Sequence, residues 1–516
     1  QVGVDVPLPP PGQPDAQAML TLRSELVGTT LDLPAPLDKA ATQPLDTRVE
    51  VALPVGDGDI DVAFGKLVAL KASRQSNQTG VRVVMGADTV TERPPVNGLV
   101  VTGRTASLNA IDWISLARGS SAPDMPPLPG QPATPKKDAV PLQQVDVQAD
   151  KLLMIGGVFP QTRLRLRPTR DAVAVTLDGP SLEGQITVPN ADGAAVQGKL
   201  STVHWQPVAA PVEPTGPEPG DLLAGALPEP ARRAVAEFDP VSIPPLSLDI
   251  DDLQVGKMTL GAATLRSSRL TDGMQVDQLQ LRSDDQNIGL TGAWRGKGDA
   301  ASTRLSVRVD SRNLGNLLQN LTLGGQLRGG EGQLELNAGW QGSPTGFALG
   351  SLDGNLTVDV RNGQLLEVDP GAGRVLGLLS VAQLPRRLMF DFRDFFSKGL
   401  AFNKLAGEVR FDKGFARTEA IRIEGPAADI AIHGQADLRA QTFDQTVDVS
   451  PKAGNLLTVV GAVAGGPVGA AVGAAANAVL GKPLGAIGAK TYHVTGPWKD
   501  PQVDVVERKV STPQPK

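Results

Sequence analysis

Arg163-Leu164-Arg165-Leu166-Arg167 is a run of five residues in which cations and leucines alternate one for one. A β-strand makes sense of that order. Successive side chains of a strand point to opposite faces, so the two leucines share one face and the three guanidinium groups share the other. A helix would scatter both sets around its circumference. The stretch predicts a strand with one dry face and one wet face.

The same period of two recurs along the chain. Arg48-Val49-Glu50-Val51, Arg304-Leu305-Ser306-Val307-Arg308-Val309, Gln333-Leu334-Glu335-Leu336 and Asn355-Leu356-Thr357-Val358-Asp359-Val360 all show it. Gly, Asn or Asp separates such runs about every ten residues, as antiparallel hairpins require. A larger unit repeats as well. Residues 273–292 read GMQVDQLQLRSDDQNIGLTG and residues 414–434 read GFARTEAIRIEGPAADIAIHG. Each has a Gly turn, a strand ending L-x-L or I-x-I, a polar corner, then I-x-L or I-x-I closing on Gly. One two-stranded module used twice argues for an array over a globule.

With 516 residues the chain is too long for one ordinary domain. Its 58 Gly, 43 Pro and 3% aromatic residues predict many turns around an aliphatic core. A net charge of −6 argues against a nucleic-acid partner. The absence of cysteine suits an exported bacterial protein. The sequence opens at Gln1 without an initiator Met or membrane anchor and reads as the downstream part of something longer. The pattern divides it into β segments at 1–121, 141–206 and 241–450, with closing strands and a tail at 491–516. Pro-rich loops are expected at 122–140, densest over 122–135, and at 207–240, densest over 207–219. Short helices are expected at 229–238 and 314–321.

Residues 451–490 stand apart. Over 453–489 the one charge is Lys482, and Gly465-Gly466-Pro467 breaks the apolar run before either half reaches the roughly 20 residues a membrane crossing needs. Two short helices folded as a hairpin are expected, with Leu456, Leu457, Val459, Val460, Val463, Val468, Val472, Val479, Leu480, Leu484 and Ile487 as its larger apolar residues. Lys452, Lys482 and Lys490 flank it, where cations can meet anionic headgroups. A plug on the protein itself, a membrane-surface hairpin and a span all fit this composition.

A search for chemistry yields little. His204, His433 and His493 are too few for a multi-His metal centre and read as polar residues at strand ends. No P-loop, G-x-S-x-G or H-E-x-x-H occurs. Residues 56–61 space their carboxylates like a calcium loop but lack its closing Glu, and read as a hairpin turn. The glycines Gly371, Gly373 and Gly377, with Asp391 beyond them, mimic a dinucleotide fingerprint. The last glycine comes one residue late and no βαβ series follows. No catalytic residue, metal ligand or cofactor is assigned. A sheet with one apolar face must cover it. Two sheets facing each other and one sheet bent into a lipid-filled trough both satisfy the periodicity.

Residues 362–438, which begin NGQLLEVDPGAGRVLGLLSVAQLPRRLMFDFRDFF, resemble the carboxy-terminal region of the AsmA-like family of bacterial envelope proteins. Trp340-Gln341-Gly342-Ser343-Pro344 and Thr495-Gly496-Pro497-Trp498 fit the same resemblance. It is strong over 243–506 and weaker before, as at Ser24-Glu25-Leu26 and Leu33-Pro34-Ala35-Pro36-Leu37. The resemblance implies a mainly β fold, an elongated and curved antiparallel groove. It implies transfer of phospholipid across the periplasm of a Gram-negative bacterium, with this chain as the part nearer the outer membrane. An amino-terminal inner-membrane anchor would lie outside this sequence. The terminal hairpin would meet the outer membrane's inner leaflet and form the mouth of the groove.

Period-two spacing places Leu279, Leu281, Ile288, Leu290, Leu305, Val307, Leu356, Val358, Val360, Ile421, Ile423, Ile430 and Ile432 on one apolar face, and the resemblance makes that face the lipid path. An Asp at Val358 is then expected to block passage while the fold survives. Helix 374–384 is expected to turn Leu376, Leu379 and Leu384 to the apolar side. Arg386 and Arg387 would follow it, within reach of phosphate headgroups or of Asp391 and Asp394. A dry β-rod without cargo is the rival reading, and an envelope enzyme a remoter one. Protein partners stay open.

Overall fold

The computed structural model describes residues 2–5, 19–31, 33, 35–52, 59–75, 78–110, 140–154, 157–207, 239–321, 327–366, 400–452, 489–498 and 500–506. Among them, twenty-five strands and one α-helix are found, so the fold is mainly β. No described helix is long and apolar enough to cross a membrane. The chain divides into two units, residues 1–208 with 244–253, and residues 209–243 with 254–516.

In the first unit, β1 (Val2–Asp5), β2 (Met19–Ser24), β3 (Thr47–Ala52), β4 (Ile60–Phe64), β5 (Val68–Gln75) and β6 (Gln78–Met85) each pair antiparallel with the next. Then β7 (Gly98–Asn109) runs parallel to both β6 and β8 (Leu142–Met154). The antiparallel order resumes through β9 (Gly157–Pro168), β10 (Ala172–Asp178), β11 (Leu182–Pro189) and β12 (Val196–Pro207). Most of β13 (Leu246–Val255) also belongs here.

Two parallel neighbours need a connection that crosses the sheet. For β6 and β7 that crossing is residues 86–97, and it takes the polar face. Arg82, on the face opposite Val83 and Met85, donates from Nε to the Arg93 carbonyl at 2.9 Å and pairs with Glu92 at 2.7 Å. Gly80, on the same polar face, packs so closely that an added Cβ would lie 1.5 Å from the Pro95 carbonyl oxygen. The crossing therefore adds nothing to the apolar side of β6.

The second unit is a plain meander. Its strands are β14 (Met258–Leu270), β15 (Gly273–Ser283), β16 (Gln286–Arg295), β17 (Ser302–Ser311), β18 (Leu327–Gln341), β19 (Asp353–Leu365), β20 (Leu400–Asp412), β21 (Phe415–Glu424), β22 (Ala428–Asp437), β23 (Thr442–Pro451), β24 (Lys490–Pro497) and β25 (Gln502–Val506). Each is antiparallel to the next. The repeated modules of the sequence are β15–β16 and β21–β22. Both carry a bulge just before their L-x-L or I-x-I, between Val276 and Leu279 and between Thr418 and Ile421.

A meander gives a sheet two rims. At one, β16 turns to β17, β18 to β19, β20 to β21, β22 to β23 and β24 to β25. At the other, β17 turns to β18 through helix α1 (Leu314–Asn320). The Asn313 side chain caps this helix by accepting from the Asn316 N–H at 3.0 Å, and Leu314 and Leu317 bury its inner side. The stretches between β19 and β20 and between β23 and β24 leave and re-enter at that second rim. The expected helices 229–238 and 374–384, Arg386, Arg387 and the apolar hairpin with its eleven named residues lie outside the described residues. So do residues 122–135 and 208–219. Pro207, expected in a loop, instead completes β12 opposite Gly157, where a strand end tolerates its missing N–H.

On the opening stretch the two faces divide as the alternation demands. Leu164 and Leu166 are buried. Arg163 holds Asp146 through two hydrogen bonds, Nε to Oδ1 at 2.6 Å and Nη2 to Oδ2 at 2.8 Å, and Arg165 reaches Asp178 at 3.2 Å. The histidines correct an expectation: all three lie within strands, on the polar face. His204 meets Asp252 at 2.6 Å, His493 meets Asp444 at 3.1 Å, and His433 lies 4.0 Å from Asp448. Asp59 and Asp61 of the supposed calcium loop pair with Lys71 at 3.6 and 3.2 Å.

The hydrogen bond from Arg163 holds the Asp146 carboxyl below the ordinary carboxylate range, against the opposing effect of burial. A depressed carboxyl stabilises the fold above its ordinary range, and that contribution is lost as pH falls through the depressed value. Asp146→Asn is therefore expected to cost stability at neutral pH and to differ less from wild type as the medium is acidified. Thermal melts of both proteins across the acid range check this.

Candidate functional site

Directly opposed residues of paired strands lie on the same face, so register alone maps the apolar side of the second unit. At one level Leu281, Ile288, Val309, Leu334, Val358, Gly407, Ile421, Ile432, Val447, Tyr492 and Val505 are successive partners across eleven strands. A second level runs Leu279, Leu290, Val307, Leu336, Leu356, Val409. A third runs Val360, Leu405, Ile423, Ile430, Val449. Leu305 stands opposite Gly292 and Ala338 on the same side. The register thus places all thirteen residues named from the sequence on one face. It adds Val309, Leu334, Leu336, Leu405, Val409, Val447, Val449 and Tyr492, which the sequence reading did not name for it.

This face is not uniform. Leu279, Leu281, Ile288, Leu290, Leu305, Val307 and Leu356 are half-buried. Val358 is 5% exposed and Ile423 fully buried, and Val309, Val360, Ile421, Ile430 and Ile432 are buried too. Apart from Val309, the rows are half-buried over β15–β18; they are buried from Val358 to Tyr492 and open again at Val505, 53% exposed. Among the described residues, α1 is one cover, standing beside Gly330 and Val360.

Along the rim opposite α1, large and small residues alternate. Phe411 faces Gly354 and Ala416, and Phe443 faces Ala436 and Gly496. Gly354 is in the left-handed region at φ +139°, and a Cβ there would lie 1.9 Å from the Asn337 carbonyl oxygen. Trp294 and Trp340 flank Thr303 on the same row. Trp340 donates its indole N–H to the Ser343 carbonyl at 2.9 Å and meets Phe347 edge-on at 5.2 Å. Trp498 packs on Phe443 at 5.9 Å. The two tryptophan motifs read separately in the sequence therefore meet one rim. The Trp340–Ser343 bond explains the spacing of the first.

The first unit has its own apolar face. Val83, Val101, Val145, Leu166, Val175, Ile186 and Gly198 are successive partners, as are Met85, Gly103, Val147, Leu164, Leu177, Gly184 and Leu200. Leu33 and Leu37, from the loop between β2 and β3, join the same cluster. Behind them Lys39, 6% exposed, donates to the Thr29 and Ala40 carbonyls at 2.7 and 2.9 Å and so ties that loop together.

Each unit is thus a sheet with an unbroken apolar side and a charged outer side, which makes this a mainly β groove protein. The chain belongs to the YhdP family: the family described as YhdP protein matches residues 1–503, including the first 242 residues, where the sequence offered only short motifs. It is 23% identical over 531 residues to the intermembrane phospholipid transporter YhdP of Escherichia coli (strain K12), covering 98% of this chain. The chain spans 38% of that relative's length. No solved structure matches.

Burial corrects one expectation about substitution. An Asp at Val358 would be a buried, unpaired carboxylate, which costs several kcal/mol. Val358→Asp is expected to lower the unfolding temperature sharply, whereas half-buried Val307→Asp leaves it within a few degrees of wild type. Circular dichroism melts of the two variants decide it.

Proposed function

We propose that this chain carries phospholipid along its apolar faces, as one stretch of a path between the two membranes of a bacterial envelope. The observation that carries the reading is the continuity of the three aliphatic rows. No charge interrupts them from Leu281 to Tyr492. An acyl chain gains about 0.8 kcal/mol per CH₂ removed from water. A lipid therefore loses almost nothing on moving from a bilayer to such a wall, and sideways escape costs many such increments. Movement along the wall needs no reacting side chain, and none is assigned here.

The half-buried stretch over β15–β18 is where acyl chains would lie first. The relative's printed description supports phospholipid as the cargo. The periplasmic setting, a place near the outer membrane, headgroup contacts of Arg386 and Arg387, and a membrane-contacting hairpin over 455–480 belong to the same proposal. They rest on the sequence and the resemblance. The buried residues from Val358 to Val449 favour a second reading, a structural β-rod whose apolar face is a dry core.

Mass spectrometry of lipid extracted from the purified chain separates the two. The conduit reading expects bound glycerophospholipid, and expects Val307→Asp to slow transfer of labelled phospholipid between vesicles at least tenfold. A lipid-free chain that transfers nothing supports the rod. Deletion of residues 455–480 is expected to leave the strands folded and to abolish vesicle binding. Unchanged binding by the deleted protein would reduce that segment to a plug.

A further inference from the structure

Behind the half-buried stretch of the wall, on the polar face of the second unit, a cavity of about 440 Å³ opens across β15–β18. Gly289 lies in it, within the row of partners Gln280, Gly289, Arg308 and Glu335, so one place in that row carries no side chain. Glycine weakens a strand interior and marks a bulge, a bend, or a place where a ligand or another backbone comes close. At Gly289 the register with both neighbouring strands runs straight through. Its φ lies outside the left-handed region. A Cβ added there would meet nothing nearer than Gln280 Oε1 at 3.6 Å, an ordinary contact, whereas at Gly292 it would lie 2.6 Å from the Arg304 carbonyl oxygen. Neither backbone nor packing calls for glycine at 289, which leaves the approach of a ligand.

We infer that this cavity binds a neutral sugar through its hydroxyl groups, on the face opposite the aliphatic rows and independently of lipid carriage. Its walls are held in place by their own hydrogen bonds. Gln280 Nε2 donates to Asn287 Oδ1 and, at 3.1 Å, to the Ile288 carbonyl. Ser306 Oγ donates to Asn337 Oδ1 at 2.8 Å, and Arg308 Nε to Glu335 Oε1 at 2.8 Å. These bonds use one end of each amide. Gln280 keeps its oxygen as an acceptor, and Asn287 and Asn337 keep their NH₂ groups as donors. The carboxylate of Asp310, which also lines the cavity, adds acceptors. A sugar hydroxyl both donates and accepts, so adjacent hydroxyls match a lining in which donors and acceptors are interspersed. Charge argues against an anion: Glu335 compensates Arg308, and Asp310 leaves the lining with one net negative charge. The volume falls within the roughly 300–1,000 Å³ of small-molecule sites and suits one or two sugar rings.

The test titrates the full chain with maltose, with N,N′-diacetylchitobiose and with inorganic phosphate, reading affinity by saturation-transfer NMR for the sugars and by calorimetry for phosphate. The wild-type chain is expected to bind at least one of the two disaccharides; binding of both shows that hydroxyls suffice, and of the second alone that the acetamido group takes part. Gly289→Val fills the empty place in the row with a side chain that strands favour. It is expected to weaken sugar binding about tenfold or more by occupying the space, with no fall in unfolding temperature and no change in transfer of labelled phospholipid between vesicles. Asn337→Ala removes one donor and is expected to weaken sugar binding about fivefold, the usual effect of one lost hydrogen bond. A wild-type chain that binds neither disaccharide, or binds phosphate more tightly than both, overturns the inference. So does sugar binding that survives intact in both variants. In each of these cases the lipid-carrying reading is untouched, because its own test is read on the other face.

Discussion

Strand register is the constraint on which everything else in the second unit depends. A slip of one residue between two strands moves every side chain of one strand to the opposite face. The meander of β14–β25 contains eleven such pairings, and each must deliver aliphatic residues to the same side. The bulges before Leu279 and Ile421 serve that requirement. In β15 two residues, Asp277 and Gln278, stand against the single Thr291. In β21 two, Glu419 and Ala420, stand against His433. Each extra residue resets the parity, so the pattern after the bulge returns to the inner face. The cross-strand ion pairs outside, Arg308 with Glu335 and Lys452 with Asp429, make a slip costly from the other side.

Neither unit covers its apolar wall evenly. In the first, the one described parallel crossing, residues 86–97, takes the polar face, held by Arg82 and by the close approach at Gly80, while Leu33 and Leu37 lie on the apolar cluster. In the second, α1 stands at one rim, and at the other residues 342–352 lay Phe347, Leu349 and Leu352 on the cluster and accept from Arg439 Nε at the Gly350 carbonyl, 3.0 Å. The aliphatic residues named above on β15 and β16 stay half-buried.

The sequence revealed what has a period. Arg163–Arg167 and Asn355–Val360 announced strands, and the thirteen residues chosen by spacing fall on one face because alternation fixes side-chain direction before any tertiary contact forms. Coverage has no period, so spacing treats Val358 and Val307 as equal places for a charge, although Val358 is buried and Val307 half-buried. Isolated aromatic residues have none either. Spacing does not single out Trp294, and Trp340 and Trp498 enter only as parts of motifs, since their shared rim emerges only when six strand pairings separating β18 from β24 are counted. Polar residues usually mark turns, which puts the histidines at strand ends, whereas here the polar face of each strand accommodates them with an aspartate nearby.

The central claim is that one face of the sheet touches lipid and the other does not, and photo-crosslinking from adjacent positions of one strand tests it most directly. A benzophenone side chain placed in turn at Leu305, Ser306, Val307 and Arg308 in the full chain would be irradiated in cells, and adducts with phospholipid would be counted by mass. The account predicts adducts from Leu305 and Val307 and none from Ser306 and Arg308, a period of two matching the register. Adducts of equal yield from all four positions, or from none, would contradict it.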